Sequence, residues 1–158
     1  MRQLPDLGSR GEGWVAIQGV FLVIIGAGAF AGPAWAGGAR IAGVIAGLAL
    51  MGAGAFAGLA GIRDLRESLT ALPAPRDGGR LVEDGIYRHV RHPIYGGVIL
   101  GSLGWSLVFA SPVSLVASLV LAGFFDLKAR REERWLAERY SGYVDYRRRT
   151  RKLVPGVY

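Results

Sequence analysis

The sequence predicts an all-α integral membrane bundle of about four transmembrane helices with a cytoplasmic C-terminal helical extension. Three observations carry this. The chain of 158 residues is 51% hydrophobic while also 20% charged, and its mean hydropathy is +0.32. Those values fit together because charge and apolar residues are segregated: residues 13–62 contain one charged side chain, Arg40, and residues 92–125 contain no Lys, Arg, Asp or Glu. Third, the basic residues crowd into the N-terminus, the stretch 63–91 and the tail from Lys128. A chain of this length is enough for one domain, taken here as 1–158.

The first apolar run, 14–31, is 18 residues of mostly Val, Ile, Phe, Gly and Ala, the lower length for a spanning helix. Ala34-Trp35-Ala36 faintly resembles a signal-peptidase site, but the run is long for a signal segment and a second span follows at once. It is read as a retained helix ending at Gly32-Pro33. The second run, 41–62, has 22 uncharged residues and closes at Arg63. Gly43-x-x-x-Gly47 and Gly54-x-x-x-Gly58 are small-xxx-small patterns that let helix backbones approach closely. They serve either packing within one chain, the commoner use, or an oligomer formed through the Gly-rich spans. The runs 94–110 and 113–127 flank Ser111-Pro112. A single helix over both would be too long and would carry an internal proline. Two short spans of about 24 Å each, joined by a turn at Ser111-Pro112, fit better. From Lys128 to Tyr140 the helix formers continue but are charged, so the last helix runs on into water.

With four spans, the N-terminus, the 63–91 loop and the tail share one side and hold 18 of the 19 basic residues, leaving Arg40 opposite. The positive-inside bias then places both termini in the cytoplasm and makes the protein multi-pass. The net charge of +7 fits juxtamembrane loops facing the anionic surface of the lipid bilayer, and no nucleic acid partner is expected. There is no cysteine, which excludes disulfides and thiolate chemistry. The two histidines, His89 and His92, lack zinc-ligand spacing, so no metal is expected.

Three clusters on the basic side can carry chemistry. The segment Leu81-Val82-Glu83-Asp84-Gly85-Ile86-Tyr87-Arg88-His89-Val90-Arg91-His92-Pro93-Ile94-Tyr95 runs directly into a span, with Pro93 in the first turn where a missing N–H costs nothing. Free N–H groups at that helix start can hold a polar ligand. The plainer reading is a basic membrane flank with Tyr95 at the interface. In the second cluster, Lys128 and Glu132 lie four apart on one helix face, next to Glu133; the plainer reading is a solvated helix with i,i+4 ion pairs. The third, Tyr140, Tyr143 and Tyr146 followed by Arg147, Arg148 and Arg149, reads most simply as a headgroup anchor. P-loop, nucleophile-elbow and soluble dinucleotide fingerprints are absent from the sequence.

In order along the chain, Gly85-Ile86-Tyr87, Arg91-His92-Pro93-x-Tyr95-x-Gly97, an apolar hairpin, Glu132-Glu133-x-x-Leu136, Tyr143-x-x-Tyr146 and Pro155 resemble the isoprenylcysteine carboxyl methyltransferase and phospholipid methyltransferase family of membrane enzymes. The resemblance covers residues 79–155. Each motif alone is weak; the ordered set is specific. It implies S-adenosylmethionine as cofactor, held at the cytoplasmic membrane edge by Leu81, Val82, Tyr87, His92, Pro93, Ile94, Tyr95, Glu132 and Glu133. It implies catalytic roles for Arg91 and Lys128. Lys128 stands where the eukaryotic carboxyl methyltransferases have an arginine near the substrate carboxylate, and lysine lacks the bidentate fork, which puts a prenylcysteine substrate in question. Gly52-Ala53-Gly54 matches a Gly-x-Gly of the phospholipid branch.

The implied acceptor is a lipid or another hydrophobic small molecule bearing a carboxylate, amine or thiol. It would enter sideways from the bilayer. Methyl transfer needs alignment more than acid–base help; an amine or thiol would give a proton to His92, His89 or Glu133. The closing Leu153-Val154-Pro155-Gly156-Val157-Tyr158 is also similar to membrane sterol reductases, which bind NADPH, but a four-span chain of this size fits the methyltransferases better.

Overall fold

The computed structural model describes residues 5, 7–30 and 37–153; Gly32-Pro33, Ala34-Trp35-Ala36, Pro155 and the closing segment from Val154 lie outside the described residues. The all-α expectation holds. Five α-helices follow one another: α1 Glu12–Gly28, α2 Gly37–Leu65, α3 Pro93–Val108, α4 Pro112–Arg139 and α5 Tyr143–Arg149. Single 3-10 turns lie at Arg66–Ser68 and Gly85–Arg88. Among the described residues the β structure is one isolated parallel bridge, Val90 to Arg151.

The helices differ from expectation at their ends. α1 covers Glu12–Gly28 rather than 14–31, α2 extends four residues before 41 and three past 62, and Arg40 lies within α2 rather than in a connecting loop. Helical hydrogen bonding does not stop where apolar composition stops, so charged flanks join the helix. α3 ends at Val108, two residues before 110, because Ala110 takes a left-handed φ of 52°. Ser111 then caps α4: its Oγ accepts from the Ser114 N–H at 3.1 Å, and Pro112 follows in the first turn. α4 runs unbroken through the expected 113–127 to Arg139, as its charged continuation predicts.

α1 breaks the order of the chain, packing on α4 rather than on α2. α2 packs on α3, α3 on α4, and α4 on α1, so the row runs α2, α3, α4, α1. α2 leaves one side bare, with Ile41, Ile45, Leu48, Phe56 and Leu59 exposed. α2 and α4 are long and apolar enough to cross a membrane, and α1 and α3 are shorter apolar helices.

The α2–α3 contact is a seam of glycines. Gly47, Gly54 and Gly61 repeat every seven residues, a spacing that keeps one helix face turned to its neighbour. A methyl group added at Gly54 would stand 2.5 Å from the Gly97 carbonyl oxygen, and one at Gly47 would stand 2.6 Å from that of Gly104. From the two small-xxx-small patterns, Gly47, Gly54 and the Gly58 backbone therefore pack against α3 within one chain, whereas Gly52, outside those patterns, faces open space.

The α1–α4 contact is different. The Ser111 and Ser114 hydroxyls donate to the Gly28 and Ile25 carbonyls of α1 at 2.6 and 2.7 Å. Ser118 continues the line, with its hydroxyl 3.2 Å from that of Ser106 on α3. Trp14 and Phe21 of α1 pack on Phe124. The core between the helices is Ile25, Ala117, Leu121 and Phe125.

Candidate active site

The start of α3, the charged half of α4 and the C-terminal segment meet at one end of the bundle. Asp64, at the end of α2, accepts the Ile86 N–H at 2.9 Å and so fixes the turn Gly85–Arg88. Gly85 has φ 58° with the Asp64 carboxylate in contact where a Cβ would project, so only glycine fits there. The turn presents Tyr87, buried, whose carbonyl accepts the Tyr146 hydroxyl at 2.8 Å.

From there the chain pairs with the C-terminal segment. The Arg91 and His92 N–H groups donate to the Arg151 and Lys152 carbonyls at 2.8 and 3.0 Å. The helix-start donor expected at His92 is therefore used within the protein, and Pro93 has none to offer.

Arg91 is tied on all sides. Its Nε donates to Glu133 Oε1 at 2.8 Å, and its Nη1 donates to the Arg147 and Thr150 carbonyls. Both side chains of this ion pair are buried, at 8% and 5% exposure. His92 Nε2 lies 3.3 Å from the same Glu133 oxygen, and His92 Nδ1 lies 3.8 Å from Glu132 Oε2. Burial alone would raise the Glu133 carboxyl; the hydrogen bonds and charges of His92 and Arg91 outweigh it and hold it down at about 2.

Tyr95 joins this knot to α4. Its hydroxyl donates to Glu132 Oε2 at 2.5 Å. Its ring stacks between those of His92 and Phe125, with centroids 5.3 and 4.7 Å away. Lys128 Nζ sits 5.0 Å from the Tyr95 ring centre and donates to Gln18 Oε1 of α1 at 2.7 Å. The i,i+4 partner expected for Lys128 is thus replaced: Glu132 takes the tyrosine and Lys128 takes the glutamine.

A cavity of about 390 Å³ opens among these groups. Leu81, Val82, Tyr87, Arg91, His92, Ile94, Tyr95, Lys128 and Glu132 line it. Pro93 does not; it packs where a side chain on Gly61 of α2 would stand. Glu133 does not either, standing behind His92 as its partner. His89 and Gly52-Ala53-Gly54 also stand outside the lining.

Other wall residues were not singled out from the sequence: Gln18 and Val15 of α1 and the 68–80 loop; Tyr140, read as part of an interfacial anchor, also stands in the wall. Tyr143 and Tyr146, read as interfacial anchors, are buried in the wall instead. Their rings meet edge to face, 5.8 Å between centroids. The Tyr143 hydroxyl is buried and has no hydrogen-bond partner among the described residues. Arg147, Arg148 and Arg149 remain largely exposed.

This geometry can be set beside known proteins. Residues 42–142 match the phospholipid methyltransferase family. The chain belongs to that family. With α2 and α4 long and apolar enough to span, it is a membrane protein. Three similar curated proteins are isoprenylcysteine methyltransferases. Protein-S-isoprenylcysteine O-methyltransferase B of Arabidopsis thaliana is 34% identical over 49% of this chain and 41% of its own length. The protein-S-isoprenylcysteine O-methyltransferase of Schizosaccharomyces pombe is 39% identical over 48% of this chain and 33% of its own. That of Saccharomyces cerevisiae is 36% identical over 49% and 33%. The shared stretch is therefore well under half the length of these relatives. α1, which supplies Gln18, precedes the matched family segment.

Proposed function

We propose that this protein is a multi-pass, S-adenosylmethionine-dependent methyltransferase acting on a lipid or other hydrophobic acceptor at the cytoplasmic face of the membrane. One observation carries the reading: Tyr87, Arg91, His92, Tyr95, Glu132, Leu136, Tyr143 and Tyr146, all from the family motifs but far apart in the chain, converge on one cavity whose walls combine acidic, aromatic and apolar groups. The lysine and arginine bias supports placing both termini in the cytoplasm.

The walls suit the cofactor. Glu132 offers carboxylate oxygens to a ribose diol or an ammonium group, and the buried Tyr143 lines the same cavity. Leu81, Val82 and Tyr87 give an apolar side for an aromatic base. When bound, S-adenosylmethionine supplies a methyl group on a positively charged sulfur.

The protein's own part is positional. Arg91 and Glu133 hold His92, and His92 and Phe125 hold the Tyr95 ring between them. Lys128 faces the same cavity from the α4 side. Val15 of α1 and Ile62 of α2 line it from opposite ends of the helix row, so a hydrophobic acceptor would arrive between α1 and α2, from the bilayer.

The test is calorimetric. Detergent-purified protein should bind S-adenosylhomocysteine, and Glu132→Ala and His92→Ala should each weaken that binding at least tenfold with the circular dichroism spectrum retained. Binding of NADPH in place of S-adenosylhomocysteine would refute the assignment. Labelled S-adenosylmethionine with a total lipid extract, followed by mass analysis, would then identify the acceptor.

A further inference from the structure

Asp126 is the first acidic side chain after the apolar stretch 92–125, and it stands outside the cavity lining. An acid at the edge of a spanning segment is costly unless it has a task. Its Oδ2 accepts from Arg130 Nε at 2.7 Å, and its Oδ1 accepts from Lys152 Nζ at 2.6 Å. The two pairs are unlike. Arg130 lies one turn along the same helix and is exposed, so that pair contributes little. Lys152 comes from the C-terminal segment, and both side chains of its pair are largely buried, at 11% and 18% exposure.

The backbone around Lys152 is engaged elsewhere. The Arg151 and Lys152 carbonyls accept the Arg91 and His92 N–H groups, and the Arg151 N–H donates to the His89 carbonyl at 3.2 Å. The Thr150 carbonyl accepts Arg91 Nη1. A methyl group added at Gly96, in the first turn of α3, would stand 3.2 Å from the Leu153 carbonyl. Residues 150–153 are therefore a strap laid across the start of α3. Its backbone fixes where His92 stands, and the Lys152 side chain bolts it to α4. The residue beside the bolt, Phe125, closes the ring stack that His92 opens on the other face of Tyr95. The spacing of that stack thus depends on how firmly the strap is held to α4.

We propose that Asp126 is a positioning residue for the cofactor wall: through Lys152 it clamps the C-terminal strap to α4 and so sets His92 against Tyr95. This rests on the methyltransferase reading above. Asp126 touches no ligand in this role. A site whose supporting contacts are loosened loses affinity while its fold survives.

The chain has two histidines, His89 and His92, so nitrogen-15 labelling of the rings gives two sets of resonances, assigned with His89→Gln. The His89 side chain is exposed and outside the lining. Asp126→Asn should move the His92 resonances, leave those of His89 in place, and weaken S-adenosylhomocysteine about fivefold. Lys152→Gln, near the end of the described chain, should do the same, and it reads the same pair if Asp126→Asn fails to fold. The double variant should be no worse than either single one, because both remove one interaction. Lys152→Arg, which keeps the cation, should retain most of the affinity. Arg130→Gln, at the exposed partner, should change it by less than about twofold. Circular dichroism reports that each variant folds.

A pair that served stability alone would lower the melting temperature and leave both His92 and the affinity as in the parent, and that result would overturn the inference. So would additive losses in the double variant, or an effect of Arg130→Gln as large as that of Lys152→Gln. Failure of the parent to bind S-adenosylhomocysteine would instead overturn the proposed function, and the His92 resonances would still report the clamp.

Discussion

α3 is held in two places by opposite means. Along its apolar length it meets α2 through glycines, backbone against backbone, with Gly54 against Gly97 and Gly47 against Gly104. At its start it is held by charge: Arg91, His92 and Glu133 form a buried knot that also gathers the C-terminal segment. The seam contributes closeness and excludes everything, including ligands. The knot contributes direction and leaves a cavity beside it. A membrane interior offers no hydrophobic drive between helices, so close packing and hydrogen bonding do the work. The two regions divide those tasks between them.

That division can be broken from either side. The largest effect is expected at the knot. Arg91→Ala strands a buried carboxylate, and loss of one partner of a buried pair costs about 3–5 kcal/mol; thermal unfolding in detergent should show a large drop, with S-adenosylhomocysteine binding lost as well. Gly54→Leu should come next, at about 1–3 kcal/mol from overpacking, while Gly52→Leu on the open face should leave the melting temperature nearly unchanged. If both leucine variants melt alike, the seam is not the α2–α3 contact described.

Acid should separate the two regions. Glu133 is held at about 2 against an ordinary 4.5. A carboxyl lowered on folding stabilises the fold fully above its ordinary value, and that contribution fades as pH falls from about 4.5 to about 2. Stability of the parent should decline across that window, and the decline should be much shallower in Glu133→Gln. The seam carries no titrating group, so Gly54→Leu should shift the whole curve without changing its slope. The smallest effect is expected at the α1–α4 contact. Ser114→Ala removes one hydroxyl from the Ile25 carbonyl, about 0.6 kcal/mol by the average for such bonds in membranes; only a sensitive unfolding titration would detect it.

Much of this was legible in the sequence, for identifiable reasons. Ser111-Pro112 between two apolar runs marks a turn because proline cannot continue a helix and serine caps the next one. Lys128 and Glu132 fall on one face by helical period. The phospholipid methyltransferase likeness was carried by the ordered motifs from Gly85 to Tyr146. What escaped depends on contacts between residues far apart in the chain. The many glycines of α1 and α2 look alike, and only the structure tells Gly54, pressed on Gly97, from Gly52, which meets nothing. Tyr143 and Tyr146 beside three arginines have the composition of an interfacial anchor, yet both are buried, and Tyr146 donates to the Tyr87 carbonyl. Gln18 left a signal, a lone polar residue in an apolar helix, but its partner stands 110 positions away.

The helix order has a consequence for how the chain comes into being. α1 and α2 are made first, yet neither packs on the other; α2 waits for α3 and α1 waits for α4. During synthesis α1 and α2 therefore wait, each without its main partner, for the helices that follow. Gln18 reaches its lysine only when translation has passed residue 128. The α3–α4 hairpin then slots between α2 and α1, and the cavity is complete only once α5 brings Tyr143 and Tyr146 to its wall. A stalled or truncated chain lacking α4 would join α2 to α3 but leave α1 and its Gln18 without their partners.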